Sequence, residues 1–486
     1  MSNSTALIIR ADAAPRMGTG HVMRCLALAQ AARKEGLDVR MVCRLGVSWL
    51  RERLAREDIP LLELPDMPPE TEEPANLLDQ LQRKDFPQPG MTDTPIWVAL
   101  DGYHFDAACQ KAVMAAGYRL LVIDDYAHLP EYHCDVLLNQ NIGAEQLTYH
   151  GSIGRKLLGL DYVLLRQEFW DAREKAQQRM RPTQPQNILV TLGGGNFIEH
   201  LEKIAIEMRQ PELAGRTIRV IQGGMDADRI RAAFARCPAQ LEILPRVDDM
   251  SSLLLDTDLC ITAGGSTCWE LCCLGVPFLT VEVAENQHAI VTLLRKKRIA
   301  LSYTRETAQT ALAGVATYPS FSIGQKINIL TFLLKIRLRH VVYDDLDFLF
   351  MLANDQDVRK YSFNTQPITF EEHLTWFDNI INSNTAFFLA EVDKEPFASI
   401  RFQKKNNETQ ISISLTRDTR GLGYGAYLIK QAVKKYFGNH CKEEIVAYIK
   451  KENISSLKSF QRASFHTDKE VAVGETPAIR LVLPNR

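Results

Sequence analysis

With 486 residues, 46% of them hydrophobic and 24% charged, and a formal net charge of −2, the chain is long enough for two to four domains, each with its own core. The near-neutral balance gives no electrostatic footprint for nucleic acid or an anionic membrane. No run approaches the roughly 20 apolar residues of a membrane span and the N-terminus lacks a basic-then-apolar leader, which points to the cytoplasm.

Ala6-Leu7-Ile8-Ile9 is a short apolar run with a β-branched pair, and Val22, Leu26 and Ala29 then recur at helical spacing. The order is strand, glycine-rich turn, helix, with Gly18, Gly20 and His21 in the turn. Glycines let a backbone approach a ligand closely, and the amides and dipole of a helix start favour an anion such as a diphosphate. The same field favours a neutral imidazole at His21, the form that accepts a proton. Residues 39–42, 96–100 and 120–123 read as further buried parallel strands.

Near Arg181-Pro182-Thr183-Gln184-Pro185 the alternation stops, then restarts through residues 187–191, 217–221, 241–244, 259–262 and 278–281. Two doubly wound units imply ligand sites beyond the carboxyl ends of their strands. There the sequence places Asp101-Gly102-Tyr103, Asp124-Asp125, Gly193-Gly194-Gly195 and Gly264-Gly265-Ser266, with Glu270 on the helix that the last cluster opens. That helix is apolar and carries Cys268, Cys272 and Cys273; without a CxxC pair anywhere, buried reduced thiols are expected.

From about residue 337 the character changes. The stretch Leu338-Arg339-His340-Val341-Val342 precedes a helix starting near Asp344, and Thr369 and Glu372 have the spacing of a capping box. Residues 386–390, 398–402 and 410–415 read as antiparallel strands. Arg420-Gly421-Leu422-Gly423-Tyr424-Gly425 then leads into an amphipathic helix. Its amides suit a pyrophosphate, and they equally suit a plain glycine turn.

Several of these pieces carry a resemblance. Arg10-Ala11-Asp12, Gly18-Thr19-Gly20-His21-Val22-Met23-Arg24, Asp101-Gly102-Tyr103, Ile123-Asp124-Asp125, residues 133–139, Leu165-Arg166-Gln167-Glu168-Phe169, the two glycine clusters and Glu285-Asn286-Gln287 occur in an order that resembles the UDP-sugar hydrolase family of the pseudaminic acid pathway. The resemblance implies hydrolysis of UDP-2,4-diacetamido-2,4,6-trideoxy-β-L-altropyranose to UDP and free sugar, with inversion, without a metal, and with His21 as general base. It also implies substrate contacts from Arg10, Asp12, Gly20, Tyr103, Asp125, Arg166, Gly194, Gly195, Gly265, Ser266, Glu270, Glu285, Asn286 and Gln287. Among these, the glycine-turn amides would meet the diphosphate and Glu270 the ribose; turn capping is the other reading of Asp12 and Asp125.

Residues 334–486 resemble the GNAT acetyltransferases, which use acetyl-CoA. The resemblance implies cofactor contacts from Leu415, Arg420, Gly421, Gly423, Gly425, Asn453 and Ser456. Two residues depart from the pattern: Phe460 stands where the family has a proton-donating tyrosine, and Ser464 where it has glycine. The proton donor is then water, another residue such as Tyr448, or absent.

The expected architecture is α/β: a glycosyltransferase-B-like pair of Rossmann-type domains, 1–180 with the histidine and 181–333 binding UDP, followed by a C-terminal α+β GNAT domain at 334–486. The expected function is a bifunctional enzyme that acetylates a UDP-4-amino-sugar and hydrolyses the product to a nonulosonic acid precursor. Its partners would be the nucleotide sugar, acetyl-CoA and neighbouring enzymes of the pathway, not nucleic acid or membrane. A glycosyltransferase using the same fold, or a GNAT-like binding module without turnover, are the alternatives.

Overall fold

The computed structural model describes the chain except residues 1–4, 15–16, 66–69, 91–93, 246, 314–322, 324–326, 384, 406–407, 440–442 and 485–486. Pro15 and Arg16 of the opening turn thus lie outside the described residues. Two compact units are present, Met1–Thr331 and Phe332–Arg486.

The first unit contains two parallel sheets. Strands β1 (Ala6–Ala11), β2 (Asp38–Arg44), β3 (Leu61–Leu64), β4 (Ile96–Asp101), β5 (Arg119–Ile123), β6 (Tyr132–Asn139) and β7 (Gly151–Leu158) lie in the order β3-β2-β1-β4-β5-β6-β7. Strands β8 (Asn187–Thr191), β9 (Thr217–Ile221), β10 (Gln240–Leu244), β11 (Leu259–Ala263), β12 (Phe278–Val281) and β13 (Leu301–Ser302) lie in the order β10-β9-β8-β11-β12-β13. Every neighbouring pair is parallel. Each sheet therefore reverses its winding once, between β1 and β4 and between β8 and β11, and a crevice forms at such a switch point.

The residues in the sheet centres explain the order. All six residues of β1, all six of β4 and all five of β11 are buried, as strands covered by helices on both faces must be. Trp97 and Trp269 are among the largest fully buried side chains. Among the described residues every cysteine is a free thiol, and Cys268, Cys272 and Cys273 are buried in the core of the second half.

The second unit holds one mixed sheet of β14 (Arg337–His340), β15 (Ala386–Val392), β16 (Glu395–Lys405), β17 (Glu408–Leu415), β18 (Ile445–Lys450), β19 (His466–Val473) and β20 (Thr476–Leu483), ordered β14-β15-β16-β17-β18-β20-β19. Its pairs are antiparallel except β17 with β18. That parallel pair registers only Thr409 with Ile445 and Gln410 with Val446. Beyond them the strands separate, and a cavity of about 860 Å³ is lined by Ile411–Leu415 on one strand and Ala447–Lys450 on the other. The expected capping box forms at Thr369, whose hydroxyl accepts from Glu372 N while Glu372 accepts from Thr369 N.

Candidate active sites

The first switch point gathers residues from β1, β4 and β5. After β1 the chain turns at Gly18, with φ of +80°, a conformation that disfavours any side chain. The helix Gly20–Lys34 then starts, with Thr19 at its N-cap and no side-chain cap bond. Register sets Ala11 beside Asp101, the last residue of β4. His21 Nδ1 lies 2.6 Å from Asp101 Oδ1.

Asp101 has no exposed surface. Burial would raise its pKa, but the Arg24 charge and His21 bring it down to about 2. An ionised Asp101 only accepts, so Nδ1 of His21 carries a proton, and in the neutral imidazole Nε2 is the nitrogen that accepts. The imidazole keeps 10% of its side-chain surface exposed.

Arg24, one helical turn after His21, locks this arrangement. Its Nε and Nη2 donate to Asp101 at 2.6 Å each, and Nη1 and Nη2 donate to Asp125 at 2.6 and 3.0 Å. Asp125 also accepts from the Tyr103 hydroxyl at 2.7 Å and from Asn141 Nδ2 at 2.8 Å. Against the burial cost, the Arg24 charge holds Asp125 below the usual carboxylate range. The Tyr103 ring meets the His21 ring edge-on, with centroids 5.1 Å apart, and the His128 ring at 5.2 Å. His128 Nδ1 is 2.6 Å from Asp124, a second histidine–aspartate pair.

Arg10 and Asp12 lie elsewhere. Both have no exposed surface. Asp12 pairs with Arg10, accepts from Arg44 N at 2.7 Å and has His104 Nε2 at 3.0 Å; Arg10 also donates to Gln80 and Glu72. Burial opposes ionisation of Asp12, but His104 and Arg10 keep its pKa low. The pair is a buried brace for β1 and β2, with no surface to offer a substrate, and turn support is the reading of Asp12 that fits this geometry.

The second switch point carries the glycine turns. A Cβ on Gly194 would sit 3.5 Å from Thr19 Oγ1, so this loop faces the His21 turn. A Cβ on Gly195 would lie 2.7 Å from the Phe197 ring, and one on Gly223 2.5 Å from Gly193 O, where glycine is required. In the other turn the Gly265 amide is spent on Ala263 O at 2.8 Å, which removes it as a phosphate donor. Ser266 is the N-cap of the helix Thr267–Cys273 and makes no side-chain cap bond.

Gln287 Oε1 accepts from both Gly264 N and Val283 N at 3.2 Å, tying two loops together. Glu285 is exposed in the same short 3-10 turn, and the side chain of Asn286 lies outside those described. Glu270 accepts from Arg166 Nη2 at 2.8 Å; burial raises its pKa in spite of that charge. Two residues expected to hold substrate therefore hold each other. Asp101 and Arg24, which stand in the matching motifs but not among the expected substrate contacts, are the residues that organise the site.

In the second unit Gly421 and Gly423 have φ of +74° and +80°, ahead of the helix Tyr424–Asn439. A Cβ on Gly425 would come 3.2 Å from Ser459 Oγ, where the helix Ile454–Arg462 packs closely. Leu415, Gly425, Asn453 and Ser456 line the cavity. Asn453 caps the second helix by accepting from Ser456 N at 3.1 Å. Arg420 also lines it, but its guanidinium is anchored to Asp355 at 2.6 Å and Asp357 at 2.9 Å, and its Nε to Leu415 O.

Phe460 has a structural task. Phe465 N donates to Phe460 O and Ser464 N to Gln461 O, both at 3.0 Å, the two bonds of a Schellman helix end. The Phe460 and Phe465 rings seal it edge-to-face, 5.0 Å apart. The left-handed position is Ser464, with φ of +72°. The Tyr448 hydroxyl donates to Glu408 at 2.7 Å, and burial and that carboxylate push its pKa up.

Comparison with known proteins agrees with the two-unit division. Residues 335–466 match the acetyltransferase (GNAT) domain family. The chain is 22% identical over 302 residues to the UDP-2,4-diacetamido-2,4,6-trideoxy-beta-L-altropyranose hydrolase of Campylobacter jejuni, covering 61% of this chain and 98% of that protein. The chain thus joins a part similar to that hydrolase to a GNAT domain.

An uncharacterized protein of Methanocaldococcus jannaschii is similar along the whole length, 20% identical over 494 residues, covering 96% of this chain and 97% of its own. Among solved structures, MurG of Acinetobacter baumannii overlays with a TM-score of 0.42 at 18% identity, covering 62% of this chain and 87% of MurG. The architecture is α/β, two Rossmann-like parallel sheets followed by the GNAT domain. Among the described residues no helix is long and apolar enough to cross a membrane.

Proposed function

We propose that the chain is a bifunctional enzyme of nonulosonic acid precursor synthesis. The GNAT domain acetylates the 4-amino group of a UDP-4-amino-sugar, and the Rossmann pair hydrolyses the product, UDP-2,4-diacetamido-2,4,6-trideoxy-β-L-altropyranose. The observation that carries the hydrolytic step is the His21–Asp101 contact of 2.6 Å, which leaves Nε2 as the accepting nitrogen.

In the hydrolytic step a water oxygen bonds to the anomeric carbon as the bond from that carbon to the diphosphate oxygen breaks. Nε2 of His21 takes the proton of the water, and Asp101 stabilises the resulting imidazolium. UDP leaves with the bonding electrons. Its growing charge suits the turns carrying Gly194, Gly195 and Ser266, because amides fixed in place cost no reorganisation. The Tyr103 ring, edge-on to that of His21, supports a role for it in bounding the sugar.

In the acetyl transfer the amine nitrogen bonds to the acetyl carbon, the carbon–sulfur bond breaks, and CoA leaves as a thiol with the proton the amine releases. The separated strands β17 and β18 leave an open strand edge for an extended thioester arm of acetyl-CoA. Phe460 has no proton to give and the Tyr448 hydroxyl donates to Glu408, which favours water as the carrier that passes the amine's proton to the thiolate.

The test is an NMR time course of the full chain with the UDP-4-amino-sugar, with and without acetyl-CoA. UDP and free diacetamido sugar are expected only with acetyl-CoA, and His21→Ala should stop at the acetylated nucleotide sugar. If chemically acetylated substrate survives wild-type protein, the hydrolase reading is wrong; if only that substrate is consumed, the acetyltransferase reading is.

A further inference from the structure

Antiparallel register sets Ser399 opposite Ser414 and Arg401 opposite Ser412 on β16 and β17. Side chains on alternate residues share a face, so three hydroxyls and a guanidinium stand together. All four residues line the cavity of the second unit, with Trp376 beside them. Ser399, Arg401 and Ser414 are half-buried and Ser412 is exposed, so the row is the polar, solvent-reached face of this antiparallel pair where it borders the cavity.

Arg401 sits 5.3 Å from the centroid of the Trp376 ring. Its Nε is buried without a hydrogen-bond partner, and among the described residues its guanidinium makes no ion pair. Burial alone lowers its pKa, with no carboxylate opposing the effect. Arg420, in the same cavity, shows the contrast: it is neutralised by Asp355 and Asp357, and Asp357 is the one carboxylate among the described lining residues. Arg401 is half-buried and has no counter-charge among the described residues, so an anion brought into the cavity by a ligand meets an unshared guanidinium.

We infer that Arg401 is the charge-reading residue of the acceptor subsite, and that the amine acetylated here carries a phosphate group, with hydroxyls that meet Ser399, Ser412 and Ser414. The inference rests on the cavity being the acetyl-transfer site. It sets this pocket apart from one for polyamines or polycationic sugars, which would need carboxylates where Arg401 stands.

The experiment follows CoA release by full-length protein with acetyl-CoA and four amines: the UDP-4-amino-sugar, the same sugar without its nucleotide, glucosamine 6-phosphate and spermidine. Wild-type protein should turn over a phosphate-bearing amine at least tenfold more efficiently than the uncharged or cationic ones. Arg401→Gln should raise KM for that amine at least tenfold with kcat within threefold and KM for acetyl-CoA unchanged, and Arg401→Lys should restore part of the loss. Arg401-dependent turnover of glucosamine 6-phosphate with an idle UDP-sugar would discard the nucleotide-sugar reading and keep this inference. Equal or better turnover of spermidine or the nucleotide-free sugar, a shift in the acetyl-CoA KM instead, or silence with both phosphorylated amines overturns it.

Discussion

His21, at the start of the helix that follows β1, and Asp101, the last residue of neighbouring β4, stand 80 positions apart in the chain and 2.6 Å apart in the fold. The carboxylate fixes which ring nitrogen carries the proton, so its removal should hurt chemistry more than binding. Asp101→Asn is expected to lower kcat for UDP release by roughly 10² to 10⁴ while KM changes little. Steady-state kinetics check this; a kcat within threefold of wild type would mean that His21 needs no partner.

Arg24 bridges two buried carboxylates, Asp101 and Asp125. Arg24→Met keeps the apolar stem and removes the charge, leaving both acids without their cation. A loss of about 3 to 5 kcal/mol is expected, the usual cost of stripping a buried pair of one partner. Urea unfolding of the single variant measures it, and the double variant with Asp101→Asn should lose less than the two single losses added.

Acid should unfold the first unit over a defined window. Asp101 falls from an ordinary 3.8 to about 2 in the folded chain, so the unfolded form binds its proton first as pH drops. Its contribution, on the order of 2 kcal/mol, is complete above about pH 4 and lost as pH falls towards 2. Asp12 and Asp125, also shifted down, steepen the same loss. Stability measured between pH 5 and 2 should fall more steeply for wild type than for Asp101→Asn.

Ser464 closes a helix in a backbone conformation that costs a side chain roughly 1 kcal/mol or more. Ser464→Gly should therefore stabilise the second unit by about 1 kcal/mol, seen as a higher urea midpoint without loss of CoA release. An unchanged midpoint would mean that the Ser464 side chain offsets its own strain.

The strand–turn–helix order at His21 was legible because a single local run encodes it, and the same holds for the capping box at Thr369. Strands β3, β6, β7 and β13 were not read as strands; β3 and β13 have only four and two residues, too few for a pattern. Site membership was harder. Arg10 and Asp12 lie at a strand end and match a motif that implies substrate contact, whereas in the fold they turn toward Arg44 at the end of β2 and Glu72 ahead of the helix Pro74–Leu81. Arg24 was legible as a helix residue three places after His21, but its role depends on two acids 77 and 101 residues away. Phe460 read as a missing acid; the helix end it seals needs Phe465 in space to be seen.

The His21–Asp101 contact exists only after β4 has come to lie beside β1. The histidine's helix can form from local sequence within microseconds, whereas the aspartate arrives with a long-range closure that is slow for any chain. UDP release by a refolding sample should therefore lag behind recovery of helical signal, and turnover becomes a clock for completion of the central sheet.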